Sequence, residues 1–203
     1  MRLAYSVQGR ADDFFIKLGG TAGLFLSHVF MGQVFFYLKG ARALISVQIV
    51  CIGKLKEEFW RGACSEFEKR LTRYCSLSVK ELSESALPEN PSQSQIDAAL
   101  EREGEAILKE IPSGSFVCAL CIEGKQFSSS EFADKIESVA SMGKSKITFI
   151  IGSSFGLCDK VKARADLKLS FSKMTFPHQM FRTILLEQIY RAFSILGGGK
   201  YHK

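Results

Sequence analysis

The chain lacks the short signatures of several common functional classes. It contains neither GxGxxG nor a Walker A sequence, so the familiar glycine cradles for dinucleotides and nucleoside triphosphates are not available. A single CxxC, Cys118-Ala-Leu-Cys121, has no second CxxC and no neighbouring His. It lies in a strand-like stretch, where positions three apart point to opposite faces, so no metal site is expected. The six cysteines, at 51, 64, 75, 118, 121 and 158, are scattered through apolar patterns rather than grouped in loops, which fits buried thiols in a reducing compartment. Charge of one sign is in only modest excess, with a net +6 and a pI near 9.0. Residues 1–44 hold five Lys/Arg against two Asp, which leaves 22 against 19 in the remainder. An anionic partner such as RNA must therefore be met by the patterning of charge and not by a large field.

What is present is the composition of a folded globular protein, 46% hydrophobic and 24% charged over 203 residues. That length suits one domain with a proper core, or one domain plus an appendage. The one long hydrophobic run is Leu18 to Leu38, which has no charged residue over twenty-one positions. It reaches the roughly 20-residue span of a bilayer. Four glycines, Thr21, Ser27, His28 and Gln33 dilute it, and Asp12 and Asp13 precede it, so neither a membrane span nor a cleaved signal is expected. Three readings of residues 1–44 stand open: upstream sequence joined by a misassigned start, a peripheral extension, or an anchor.

From Ile45 onward, strand-like and helix-like segments alternate. Residues 45–52 read as a strand closed by Gly53. Residues 56–74 read as a helix with Phe59, Ala63, Phe67, Leu71 and Tyr74 on one face. A strand follows at 76–82, a Pro-containing loop at 83–92, an exposed charged helix at 94–110 and a buried strand at 115–122. Ser128 and Glu131 form a capping-box signal for a helix to about Ser141. A strand at 147–151, a helix at 157–164 and a strand at 167–171 precede the last helix. That helix starts at Pro177, carries Phe181, Ile184, Leu185, Ile189, Ala192, Phe193 and Leu196 at helical spacing, and ends at Gly197-Gly198-Gly199. Lys200-Tyr201-His202-Lys203 is then a short mobile tail. This βα order predicts an α/β fold, a mostly parallel sheet with helices on both faces. Ligands in such sheets bind beyond the carboxyl ends of the strands, here Leu120–Gly124, Ile151–Gly156 and Ser170–Phe176.

The segment SFSKMTFPHQM, followed by Arg182, Glu187-Gln188, Tyr190-Arg191-Ala192 and Tyr201-His202-Lys203, closely resembles the C-terminal signature of the RlmH family. These are SPOUT-class (trefoil-knot) methyltransferases that modify a pseudouridine of 23S ribosomal RNA. Ile150-Ile-Gly-Ser-Ser-Phe-Gly-Leu157 resembles the family's glycine loop, and Val50-Cys-Ile-Gly-Lys-Leu-Lys56 its opening strand and turn. The resemblance covers about residues 45–203, which it marks as the methyltransferase domain, with 1–44 outside it.

The resemblance implies a C-terminal trefoil knot, a cytoplasmic homodimer, and methyl transfer from S-adenosyl-L-methionine to N3 of a pseudouridine in 23S rRNA of the assembled ribosome. A non-catalytic ribosome- or RNA-binding protein of the same fold is the alternative. Leu120, Gly152, Phe171, Ser172, Lys173, Met174, Thr175 and Phe176 match the cofactor pocket. Ser153 stands where a second glycine is usual, and a positive φ there would strain the loop. Glu187, Tyr201 and His202 match the catalytic positions, and His178, Arg182, Arg191 and Lys203 the substrate contacts. Glu187 reads equally as a base or base-edge ligand and as an i,i+4 partner of Arg191. His178 reads also as a helix-start residue, and each basic residue as a solvated surface charge.

Overall fold

In the computed structural model the described residues are 45–199 and Tyr201, together with the backbone of three short strands, β1 (Val7–Gln8), β2 (Phe14–Lys17) and β3 (Gly23–Leu26). The three pair antiparallel, with Val7 opposite Ile16 and Phe14 opposite Leu26. β3 falls inside the uncharged stretch 18–38, the rest of which lies outside the described residues. No helix among the described residues is long and apolar enough to cross a membrane.

The main sheet consists of β4 (Ser46–Ile52), β5 (Ser76–Leu82), β6 (Phe116–Gln126), β7 (Lys146–Ile151) and β8 (Leu167–Ser170), in the order β5-β4-β7-β6-β8. Every neighbouring pair is parallel. The helices are α1 (Glu58–Leu71), α2 (Gln93–Glu110), α3 (Ser129–Ser141), α4 (Asp159–Arg164) and α5 (His178–Leu196). The two-residue period of a strand sorts its side chains between two cores. Val47, Ile49 and Cys51 of β4 join Cys64 and Leu71 of α1, Phe132 and Ile136 of α3 and Leu185, Ile189 and Phe193 of α5. Val50 and Ile52 face the other way, onto Ile107 of α2 and Val161 of α4. Three helices therefore cover one face and two the other, as the alternating pattern predicts.

Three elements differ from expectation for local reasons. On α1 the buried line runs through Cys64 and Leu71, while Phe59 is 63% exposed and stacks only on Trp60, at 4.8 Å. Phe59 stands five residues before Cys64, about 140° round a helix of 3.6 residues per turn, and so falls off the core face, whereas Phe67, Leu71 and Tyr74 of the expected line do meet the core. Helix α2 starts earlier, because Ser92 and Gln95 form a capping box, and it buries Ala99, Glu103, Gly104 and Ile107. Strand β6 runs past Ile122 to Gln126, because its pairing with β8 resumes after an irregularity between Leu120 and Lys125. Gly124 permits that crossing: a Cβ there would lie 2.6 Å from the Leu169 carbonyl carbon and 2.8 Å from its nitrogen.

Candidate functional site

A cleft of about 690 Å³ opens beyond the carboxyl ends of β6, β7 and β8. Its walls come from the end of β6 (Leu120–Glu123), the loop after β7 (Gly152–Leu157), the loop after β8 (Ser170–Pro177) and the first turn of α5, His178 and Phe181. Of the residues expected to line a pocket, Leu120, Gly152, Phe171, Ser172, Met174, Thr175 and Phe176 do so, and Lys173 stands between two of them. The three strand ends named from the βα order meet here. The parallel sheet makes them neighbours.

Backbone contacts shape the glycine loop. A Cβ on Gly152 would lie 2.1 Å from the Gly156 carbonyl oxygen, so only glycine lets the loop fold onto itself there. The positive φ falls on Gly156, at 93°, and no non-glycine residue among those described has one. Ser153 is thus unstrained, contrary to the concern its identity raised. Its Oγ donates to Glu103 at 2.8 Å, and the other Glu103 oxygen accepts from the Ser85 amide at 2.7 Å. Glu103 is 5% exposed, and nothing in the charged pattern of α2 had marked it as the anchor of this loop.

The loop after β8 is held by short-range bonds: Ser170 Oγ donates to the Ser172 carbonyl at 3.0 Å, and the Met174 amide to Ser172 Oγ at 2.9 Å. Phe171 and Phe176 pack on Phe181 with centroids 5.3 and 6.1 Å apart. Lys162 and Glu123 pair at 2.7 Å on the rim, and the hydrogen bond from Lys162 holds the Glu123 carboxyl below its usual range. Cys121 half-faces the cleft, whereas Cys118 is buried and its thiol is pushed up by desolvation. Among the described residues no three His, Cys, Asp or Glu side chains group as metal ligands.

At the cleft's edge the His178 imidazole lies against Gly53: a Cβ built there would be 3.3 Å from its Nε2. Arg182, one turn on, is not at the surface. It is 3% exposed, donating to Glu81 at 2.5 Å and to the Gly53 carbonyl at 3.0 Å.

A second cluster sits further along α5. The Glu187 carboxylate accepts from Arg191 Nε at 3.0 Å and Nη2 at 2.5 Å, from Gln188 at 2.6 Å and from the Tyr201 hydroxyl at 3.3 Å. The Arg191 guanidinium lies 4.8 Å from the Tyr201 ring centroid, and Tyr190 meets that ring edge-on at 4.8 Å. Tyr201 is therefore docked on α5, where a frayed tail was expected. Burial first, and the neighbouring Glu187 charge second, raise its phenol above the usual range. The structure joins Glu187, Arg191 and Tyr201 outside the cleft: the six residues from Phe181, which lines it, to Glu187 are roughly 9 Å of helix. His202 and Lys203 lie outside the described residues.

Residues 45–202 match the family model described as "Predicted SPOUT methyltransferase". Over 159 residues, 78% of this chain and 100% of the relative, the sequence is 49% identical to "Ribosomal RNA large subunit methyltransferase H" of Clostridium botulinum (strain Kyoto / Type A2). It is 48% identical, over the same length and shares, to the protein of that name from Leuconostoc mesenteroides subsp. mesenteroides. A solved structure, "The structure of a probable methylase family protein from Haemophilus influenzae Rd KW20", matches 79% of this chain and 72% of that one, with 17% identity and a TM-score of 0.45.

Proposed function

The chain belongs to the SPOUT methyltransferase family, and from that premise we propose that it methylates N3 of a pseudouridine in 23S rRNA of the assembled ribosome, using S-adenosyl-L-methionine, as a cytoplasmic homodimer. The observation that carries this reading is the cleft of about 690 Å³ at the carboxyl ends of three parallel strands. Its size is that of a cofactor pocket, and its lining combines apolar walls (Leu120, Ile151, Phe176) with the exposed backbone of two loops. Such a lining fits an adenine ring, which needs edge recognition inside an apolar slot. Leu120, Gly152 and Phe171 to Phe176 would hold it. When bound, S-adenosyl-L-methionine supplies an electrophilic methyl on a sulfonium.

Methylation breaks the N3–H bond of the base and forms N3–CH3, so the protein has to orient the imide and receive its proton. Glu187, Tyr201 and His202 are the residues for this work. Arg191 holds the Glu187 carboxylate in place, and His178, Arg191 and Lys203 form the substrate side, with the buried Arg182 behind it. The distance between the Glu187 cluster and the cleft of the same chain favours a composite site: in a dimer one protomer's tail would serve its partner's cleft. Residues 45–203 are the catalytic unit in this reading, and 1–44 lie outside it. The trefoil crossing belongs to the proposal too, supported by the close passage of Gly124 across the Leu169 backbone. A non-catalytic RNA-binding role would draw on strain at Ser153 or on obstruction by residues 1–44, and the first of these is absent.

The test is transfer of labelled methyl to intact ribosomes that lack the modification, followed by nucleoside mass spectrometry. N3-methylpseudouridine is the expected product. Ribosome binding without product would leave the non-catalytic role in its place.

A further inference from the structure

A buried arginine carries a charge at any physiological pH, and burial is costly unless its donors are met. The Arg182 side chain is 4% exposed, with one terminal nitrogen on Glu81 and the other on the Gly53 carbonyl, while its Nε finds no partner. A residue placed there to grip a phosphate would have to leave Glu81 and come out from beneath α5. Its two contacts reach a different target. Gly53 sits at φ 87°, at the exit of β4, its amide bonded to the Leu82 carbonyl at 2.8 Å, and its Cα side lies against the His178 imidazole. Beside it the Lys56 amide donates to Gln179 at 3.0 Å, and the Leu55 amide to Glu81 at 3.4 Å. The exit of β4, the end of β5 and the first turn of α5 are thereby joined at one ion pair. Of these parts, His178 and Phe181 form a wall of the cleft.

We propose that Arg182 is a positioning residue: through Gly53 and Glu81 it sets the first turn of α5 and the His178 imidazole against the cleft, and it makes no contact with RNA phosphate. This rests on the reading of the cleft as the cofactor site. The pair is asymmetric, since the Glu81 side chain is 33% exposed where a cavity of about 330 Å³ between α1 and β5 reaches it. Arg182 borders the same cavity but is almost wholly covered, its side chain 4% exposed.

The experiment compares Arg182→Lys, His178→Ala and the double variant in the full chain. It measures cofactor affinity by calorimetry, the separate KM values for cofactor and ribosome, and the salt dependence of ribosome affinity. For Arg182→Lys the cofactor KM should rise by about tenfold or more, the scale of a small misplacement at a site. The slope of log ribosome affinity against log salt should be that of the wild type. The His178→Ala and Arg182→Lys effects should fall short of additivity, because both act on one imidazole. A slope smaller by about one unit is the mark of a lost phosphate contact and would overturn the proposal. So would full additivity. If Arg182→Lys does not fold, Gln179→Ala, which cuts the Lys56 link and leaves the ion pair alone, should raise the cofactor KM in the same direction; no change there also overturns it. A wild-type chain that binds no S-adenosyl-L-methionine would instead remove the reading of the cleft, and this inference with it.

Discussion

At its first turn α5 meets backbone, and about two and a half turns later it meets mostly side chains. Around His178 the partners are glycine loops packed to the limit of what a hydrogen atom in place of a Cβ allows, and Gly152 is within contact of Gly156, as Gly124 is of Leu169. Around Glu187 the partners are a guanidinium, a carboxamide and a phenol on the surface of the same helix and its tail. The first region is held by close backbone packing and has little room to adjust. The second is held by partly exposed charge, which yields to salt and to titration. A rigid slot suits a cofactor that is the same in every turnover, and an adjustable charged group suits a base presented by a ribosome.

The largest effect expected is at the rigid end. Gly152→Ala places a Cβ 2.1 Å from a backbone oxygen, which no side-chain motion relieves, so the loop must open. Cofactor affinity should fall by about 100-fold or more, with a loss of about 1–3 kcal/mol in stability, the range for overpacking. Gly156→Ala is the control that sharpens the point: open space surrounds its Cβ, so only the cost of a positive φ remains, about 1–2 kcal/mol. Calorimetry with S-adenosyl-L-methionine and denaturant melts read both variants.

Next comes Glu187→Gln, which keeps shape and removes charge. On its proposed role as proton acceptor, the change should lower kcat by about 100-fold, the low end for general base catalysis. The cofactor dissociation constant should be unchanged, because Glu187 is outside the cleft. Equal losses in both would erase the division between the two ends.

A smaller effect separates the cysteines. Burial raises the thiols of Cys51, to about 11, and Cys75, to about 12, so both stay protonated and shielded near neutral pH. Cys121 lines the cleft and is half-exposed. Slow iodoacetamide labelling of the native chain should reach Cys121 before these two, and S-adenosyl-L-methionine should slow it several-fold. Labelling by peptide mass spectrometry that ignores the cofactor would place the ligand elsewhere.

The smallest effect is the titration of the tail. Tyr201 has its pKa raised by burial and then by Glu187, so the docked tail is favoured while the phenol is neutral. The contribution is fully present below the ordinary tyrosine value of about 10 and is lost as pH rises through the higher folded value. The phenolate difference spectrum between wild type and Tyr201→Phe should have its midpoint above the ordinary value, and Glu187→Gln should bring it down. An ordinary midpoint in the wild type would mean an undocked tail.

The sheet could be read in advance because its signals are local. The short apolar runs of β4 and β7, the capping box at Ser128 and Glu131, and the glycines after Leu196 all appear within a few neighbouring residues. The cleft was half legible: its strand ends were visible, and the resemblance named its walls, but Glu103 was not visible at all. A glutamate on a charged helix looks the same whether it faces water or caps a loop fifty residues away. Phe59 misled for the related reason that period alone does not say where a helix face begins.

By itself the sequence determined the order of strands and helices, the glycines where the chain turns or crosses, and the composition of the tail, since these depend on propensity and short-range geometry. Only the tertiary structure decided that the Arg182 side chain turns inward from α5 and not out to solvent, that Ser153 leans on Glu103, and that Glu187 stands outside the cleft of its own chain. Burial and pairing across a hundred residues are properties of packing, and no local pattern encodes which charge will find which partner.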